Sequence, residues 1–131
     1  MSSILYKQTA GTQQTQSGAW TPIAGLHFTL PPLSSGNSNA LMILNIPNPY
    51  AKGSDHPGGM FGISVNGAVM VPFACFTYES KIPQSFGRMP TTLVIQIHLT
   101  ANSQQIAGVW QSVRSSDVII DTPASLSAII S

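Results

Sequence analysis

The chain is predicted to be an all-β protein, an antiparallel two-sheet sandwich of jelly-roll type, and three observations carry that reading. Helical periodicity is missing, because Gly, Pro, Asn and β-branched residues recur too often to leave three clean turns anywhere in the chain. Short apolar-alternating segments follow one another with only turn chemistry between them. The composition, 43% hydrophobic and 7% charged with 11 Gly and 10 Pro, suits a β module whose surface is amide and hydroxyl rather than ionic.

Taken in order, strands are expected at 4–8, 20–30, 40–46, 60–65, 68–78, 92–100, 105–114, 118–121 and 125–130. The first is followed by the polar stretch 12–17, the second by the Pro31-Pro32 loop running to residue 39, and the third by the Pro-rich segment 47–57. Asn66-Gly67 joins the fourth and fifth as the strongest short hairpin signal in the chain, and Gly58-Gly59 just before them reads as a turn. The loop 81–90 then leads to the pair 92–100 and 105–114, joined by Thr100-Ala-Asn102-Ser in the same manner. In the strand at 92–100 the aliphatic residues Leu93, Ile95, Ile97 and Leu99 share one face, and Gln96, His98 and Thr100 turn outward. The last strand places Leu126, Ala128 and Ile130 on one side and leaves the apolar Ile129 on the other, which either subunit packing or a strand covered on both faces within one sandwich would produce.

At 131 residues the chain is read as one domain, 1–131, with no internal repeat. Its net charge of +1 and the dispersed Lys7, Lys52 and Lys81 offer no footprint for nucleic acid, and no apolar run is long enough for membrane insertion. The N-terminal residues show no signal peptide, so synthesis in the cytoplasm is expected, with a non-classical route left for any release. Cys75 is alone, and its neighbours Phe73, Ala74 and Phe76 predict a small buried hydrophobe.

No cofactor and no metal are expected. His27, His56 and His98 lack ligand spacing, and Asp55, Glu79, Asp117 and Asp121 never cluster as calcium ligands. Asp55-His56 reads as turn chemistry. Nucleophile motifs are missing, so no catalytic residue and no enzyme activity are expected; a glycosidase pair could be assembled only from Glu79 and Asp117.

The chain contains only two arginines, Arg88 and Arg114, each in a hydroxyl-rich stretch near aromatics. Where charge is so scarce, a guanidinium with five fixed donors is there to hold something. Its partner is either an internal carboxylate, Glu79, Asp117 or Asp121, or a neutral ligand bearing hydroxyls.

Several multi-residue blocks occur in a recognisable order: Leu41-Met-Ile-Leu-Asn-Ile-Pro-Asn-Pro-Tyr50-Ala, His56-Pro-Gly to Phe61, Cys75-Phe-Thr-Tyr78 to Arg88-Met-Pro, Trp110-Gln-Ser-Val-Arg114, and Ala124-Ser-Leu-Ser-Ala-Ile129. Over about 40–130 the chain resembles the tumour-necrosis-factor-like, fucose-binding N-terminal domain of the Burkholderia two-domain superlectin, with a looser likeness before residue 40 through Trp20-Thr-Pro-Ile-Ala-Gly-Leu. The resemblance implies a homotrimer with L-fucose sites between neighbouring protomers, free of calcium, for fucosylated glycans of cell surfaces. Its fucose-binding positions correspond here to Tyr50, Thr77, Tyr78, Ser85, Arg88 and Arg114. Two positions depart from the pattern: Met60 replaces a tyrosine and Phe86 a threonine, at the rim of the implied site. The alternative is a structural or receptor-binding jelly-roll trimer that binds no sugar, its arginines in inter-subunit ion pairs.

Overall fold

The computed structural model describes residues 2–131, and these contain twelve strands and no helix. In chain order they are β1 (Ser3–Gln8), β2 (Gln13–Thr15), β3 (Thr21–Leu30), β4 (Asn39–Ile46), β5 (Tyr50–Lys52), β6 (Gly58–Val65), β7 (Ala68–Val69), β8 (Ala74–Thr77), β9 (Thr91–His98), β10 (Gln104–Val113), β11 (Asp117–Ile120) and β12 (Ser125–Ile130). All pairings are antiparallel. Four strands form one sheet in the order β1-β12-β4-β9; β3-β10-β6-β7, with β8 also on β6, form a second; β2-β11-β5 form a small third.

The two large sheets face each other across the core. Period-2 alternation makes this possible, since each inward residue is apolar: Met42, Leu44 and Ile46 on β4, Leu126, Ala128 and Ile130 on β12, Ile23, Leu26, Phe28 and Leu30 on β3. Contact between the layers is close at Gly108, where any Cβ would press on Leu26 of its own sheet and on Leu44 of the opposite one. The small third sheet closes one end of the sandwich. Its Ala51, Val118 and Ile120 are fully or almost fully buried, and Val118 lies so close to Gly59 that only a residue without a side chain fits there.

Several expectations need correction. Gly58-Gly59 is not a turn: both residues open β6 and pair with Thr77 and Phe76, and a Cβ is excluded at Gly58 by β8 and at Gly59 by Val118. The segment expected as one strand at 68–78 is two, β7 and β8, since Pro72 has no N–H to continue the ladder beside β6. Cys75 is exposed rather than buried: it pairs with Met60 and points outward, while its neighbour Phe76 takes the inward position. Strands β2 and β5 lie in segments expected to be loops. The Asn66-Gly67 turn is present with both residues at positive φ, as a two-residue hairpin requires.

The outer face of the four-stranded sheet is built in rows. Ile4, Ile129, Leu41 and Gln96 lie in register across it, and Tyr6, Ser127, Ile43 and Val94 form the next row. Ile4, Tyr6, Leu41, Val94 and Ile129 are all exposed, and neither row carries a charged residue.

Candidate functional site

Charge is concentrated at the end closed by the small sheet. Of the nine charged side chains only Lys7 lies elsewhere in sequence; the rest fall at 52–55, 79–88 and 114–121. The fold draws these segments together: β5 pairs with β11, the His56 amide donates to the Lys81 carbonyl (2.9 Å), and the Tyr78 amide donates to the Pro57 carbonyl (2.9 Å).

Within this end the six implied sugar contacts form two corners. At the first, Tyr50 opens β5 and its ring carries the Arg88 guanidinium 4.2 Å from the ring centroid. Arg88 Nη1 donates to the Asn48 carbonyl (3.1 Å) and to Asp121 Oδ1 (2.6 Å). The loop bearing Arg88 is tied down on both sides. The Met89 amide donates to the Pro49 carbonyl (2.9 Å), and the Tyr78 hydroxyl donates to the Gly87 carbonyl (2.7 Å) while accepting from the Ala51 amide (3.3 Å). Burial raises the Tyr78 pKa above its usual value, so the phenol stays protonated and keeps this donor role. The hydrogen bond to Arg88 holds the Asp121 carboxyl below the ordinary carboxylate range.

At the second corner, Arg114 follows β10 and sits with Ser115 at positive φ in the turn before β11. Its Nη1 donates to the His56 carbonyl (2.9 Å), and His56 is itself at positive φ. The turn is anchored by Ser116, which is buried; its hydroxyl donates to the Val113 carbonyl and accepts from the Gly58 amide (3.1 Å). Gly58 in turn pairs with Thr77, which places that exposed hydroxyl beside the same corner. Asp55 stands near Arg114 as well. Its pKa is lowered chiefly by the hydrogen bond from His56, with smaller contributions from the His56, Arg114 and Lys81 charges.

The two arginines bind at opposite ends of β11: Arg88 at Asp121, just past its end, and Arg114 in the turn before its start, with four residues of strand, on the order of 13 Å of backbone, between those ends. Ser85 and Phe86 precede Arg88 on the loop after β8. Phe86 meets the Tyr78 ring edge-to-face at 6.1 Å, and Ser85 is exposed. Ser85 and Tyr78 also line an open depression of about 570 Å³ shared with Glu79, Ile82 and Gln84. Met60, on β6 beside Cys75 and Gln111, is half-buried.

Sequence reasoning missed the groups that orient the arginines. The Asn48 and His56 carbonyls cannot be foreseen from side-chain identity. Asp121 was foreseen only as one of three possible carboxylate partners, and it is the one Arg88 takes. Among the described residues no cluster of three or more His, Cys, Asp or Glu could hold a metal ion, and no helix is long and apolar enough to cross a membrane.

The family model described as Bc2l-C, N-terminal domain, matches residues 10–129, which extends the likeness well before residue 40. That family is the fucose-binding, tumour-necrosis-factor-like domain of a Burkholderia cenepacia lectin. No curated protein matches the chain. Two solved structures align with most of it at 13% identity: the insecticidal delta-endotoxin Cry8Ea1 from Bacillus thuringiensis (TM-score 0.43, 92% of this chain) and dimeric latent PorU from Porphyromonas gingivalis (TM-score 0.45, 95% of this chain). The chain spans only 19% and 13% of those two proteins.

Proposed function

The chain belongs to the Bc2l-C N-terminal domain family, and from that membership we propose that it is a calcium-independent, non-catalytic lectin binding L-fucose and fucosylated glycans at sites completed between protomers of a homotrimer. The family membership suggests lectin function; the fucose preference, the residues and the assembly are our reading.

One observation carries the site assignment. The two arginines of a charge-poor chain are both exposed, both oriented by a protein carbonyl, and stand at separate corners of one end of the molecule. Separate corners suit a site divided between neighbours, with Tyr50, Tyr78, Ser85 and Arg88 on one protomer facing Thr77 and Arg114 on the next. A 6-deoxyhexose presents vicinal hydroxyls to forked donors and a methyl group to an aromatic or apolar wall. Arg88 and Arg114 supply the forks, Thr77 and Ser85 the small hydroxyls, Tyr50 and Tyr78 the rings, and Met60 and Phe86 an apolar rim. The Tyr78 hydroxyl is already committed within the protomer, so its ring is the part offered to the sugar.

Two further features support the assembly. The uncharged outer face with Ile4, Tyr6, Leu41, Val94 and Ile129 is the kind of contiguous apolar surface that protein contacts cover. Arg88 takes its carboxylate from its own chain, which weighs against the inter-subunit ion pairs that the sugar-free reading requires. One monosaccharide in such a site should bind in about the millimolar to micromolar range, and three sites per trimer convert that into avidity for a glycan-covered surface.

Calorimetric titration with methyl α-L-fucoside tests the reading: saturable heat at one site per protomer is expected, and no heat up to high millimolar sugar would end it. Ile129→Lys, placing a charge in the apolar row, should convert the trimer to monomers and abolish fucose binding together. Fucose binding retained by a monomer would refute the shared site.

A further inference from the structure

Arg88 divides its donors unequally. Nη1 has two hydrogens, and both have protein acceptors, the Asn48 carbonyl at 3.1 Å and Asp121 Oδ1 at 2.6 Å. Nε and Nη2 donate to no protein atom among the described residues, and the side chain is 45% exposed. In a planar guanidinium these two nitrogens form one edge with parallel N–H bonds, spaced for two neighbouring oxygens. The Tyr50 ring beneath the guanidinium leaves that edge to be approached in its own plane.

Charge adds a second restriction. An arginine edge open to solvent binds carboxylate, sulfate and phosphate oxygens more strongly than neutral hydroxyls, because the ligand's charge adds to each bond. Here the formal charge is cancelled by the Asp121 carboxylate. An anion arriving at the free edge meets the carboxylate's repulsion as well as the guanidinium's attraction, whereas a neutral diol loses nothing. Arg114 is arranged in parallel, with Nη1 on the His56 carbonyl and the Asp55 carboxylate close enough to feel its charge.

Resting on the reading of Arg88 as a sugar contact, we propose that Asp121 is a positioning and specificity-determining residue: it fixes the Nε/Nη2 edge of Arg88 toward the ligand and, by cancelling the charge, selects neutral vicinal diols over anionic sugars.

The test uses the intact protein and two probes, L-fucose and inorganic sulfate at constant ionic strength. Because the chain has two arginines, the Nε–Hε region of a nitrogen-correlated NMR spectrum holds two signals, and Arg114→Lys assigns the one from Arg88. In the wild type, fucose should shift the Arg88 signal and sulfate should leave it in place. Asp121→Asn should gain sulfate affinity at Arg88 by about tenfold and lose about as much for fucose, while Asp121→Glu, which keeps the charge, restores the preference for fucose. An equal sulfate response in wild type and Asp121→Asn overturns the proposal even where fucose binds normally. Sulfate gained by Asp121→Asn with no fucose response in any variant sustains the charge selection and removes fucose as the ligand. Should Asp121→Asn fail to fold, the wild type alone decides: sulfate bound at Arg88 as tightly as fucose contradicts the proposal.

Discussion

The two arginine corners are built from different materials. Arg88 is oriented chiefly by side chains, resting on the Tyr50 ring and held by the Asp121 carboxylate, with the Asn48 carbonyl as its one backbone partner. Arg114 is oriented by backbone: a positive-φ turn, a carbonyl acceptor on another positive-φ residue, and the Ser116 anchor on Gly58, where β8 leaves no room for a Cβ. The contrast teaches that one half of the candidate site is part of the folded frame and the other is mounted on it. Damage to the Arg114 corner should therefore cost stability as well as binding, and damage to the Arg88 corner should cost binding with only a small loss of stability.

The largest effect is expected from Gly58→Ala. Its Cβ would drive into the Phe76 carbonyl and Thr77, so β6 and β8 must part. A loss of about 3 kcal/mol is expected, or a melting temperature lower by on the order of 10 °C; an unchanged thermal melt would show that the backbone frame is slack there. Next come the arginines themselves. Arg88→Ala and Arg114→Ala should each weaken fucose binding by at least about a hundredfold, the loss of one forked charge-assisted contact, in calorimetry. Sedimentation should find the trimer intact in both, and retained affinity in either variant would misplace that corner.

Tyr50→Leu sharpens the comparison further. It removes the aromatic seat under Arg88 but leaves Asp121 and the Asn48 carbonyl, so a weakening of about fivefold in fucose binding is expected with the melt nearly unmoved. A drop in stability as large as that of Gly58→Ala would mean that the Arg88 corner belongs to the frame after all. The smallest effect is the pH dependence. The Asp121 carboxyl, lowered by its bond to Arg88 from an ordinary value of 3.8, favours the folded state when ionised. Its contribution is thus complete above that ordinary value and fades as the pH falls through the lowered one. The melting difference between wild type and Asp121→Asn should stay constant from pH 8 to about pH 5 and close only below about pH 4.

Much of the fold was legible because alternation is a strong signal wherever one face is buried. The strand at 92–100 placed Leu93, Ile95 and Ile97 inward as its pattern required, and Ile129 stands outward as expected. Strands β2 and β5 were hidden because three-residue pairings of Gln-Gln-Thr and Tyr-Ala-Lys have no period to read; only their partner β11 makes them strands. Cys75 was misread because its apolar neighbours said nothing about which face it occupied, and pairing with Met60 decided that. The arginines stood out through scarcity, but their orientation did not. Asp121 lies 33 residues from Arg88 in sequence, and only the antiparallel packing of β5 on β11 brings the two together.

A crystal structure of the protein soaked with L-fucose tests the divided site most directly. The account predicts one sugar per protomer boundary, with Arg88 of one chain and Arg114 of its neighbour on opposite sides of the same ring and the Nε/Nη2 edge of Arg88 on adjacent hydroxyls. Fucose bound wholly within one protomer, or arginines that leave it untouched, would contradict it.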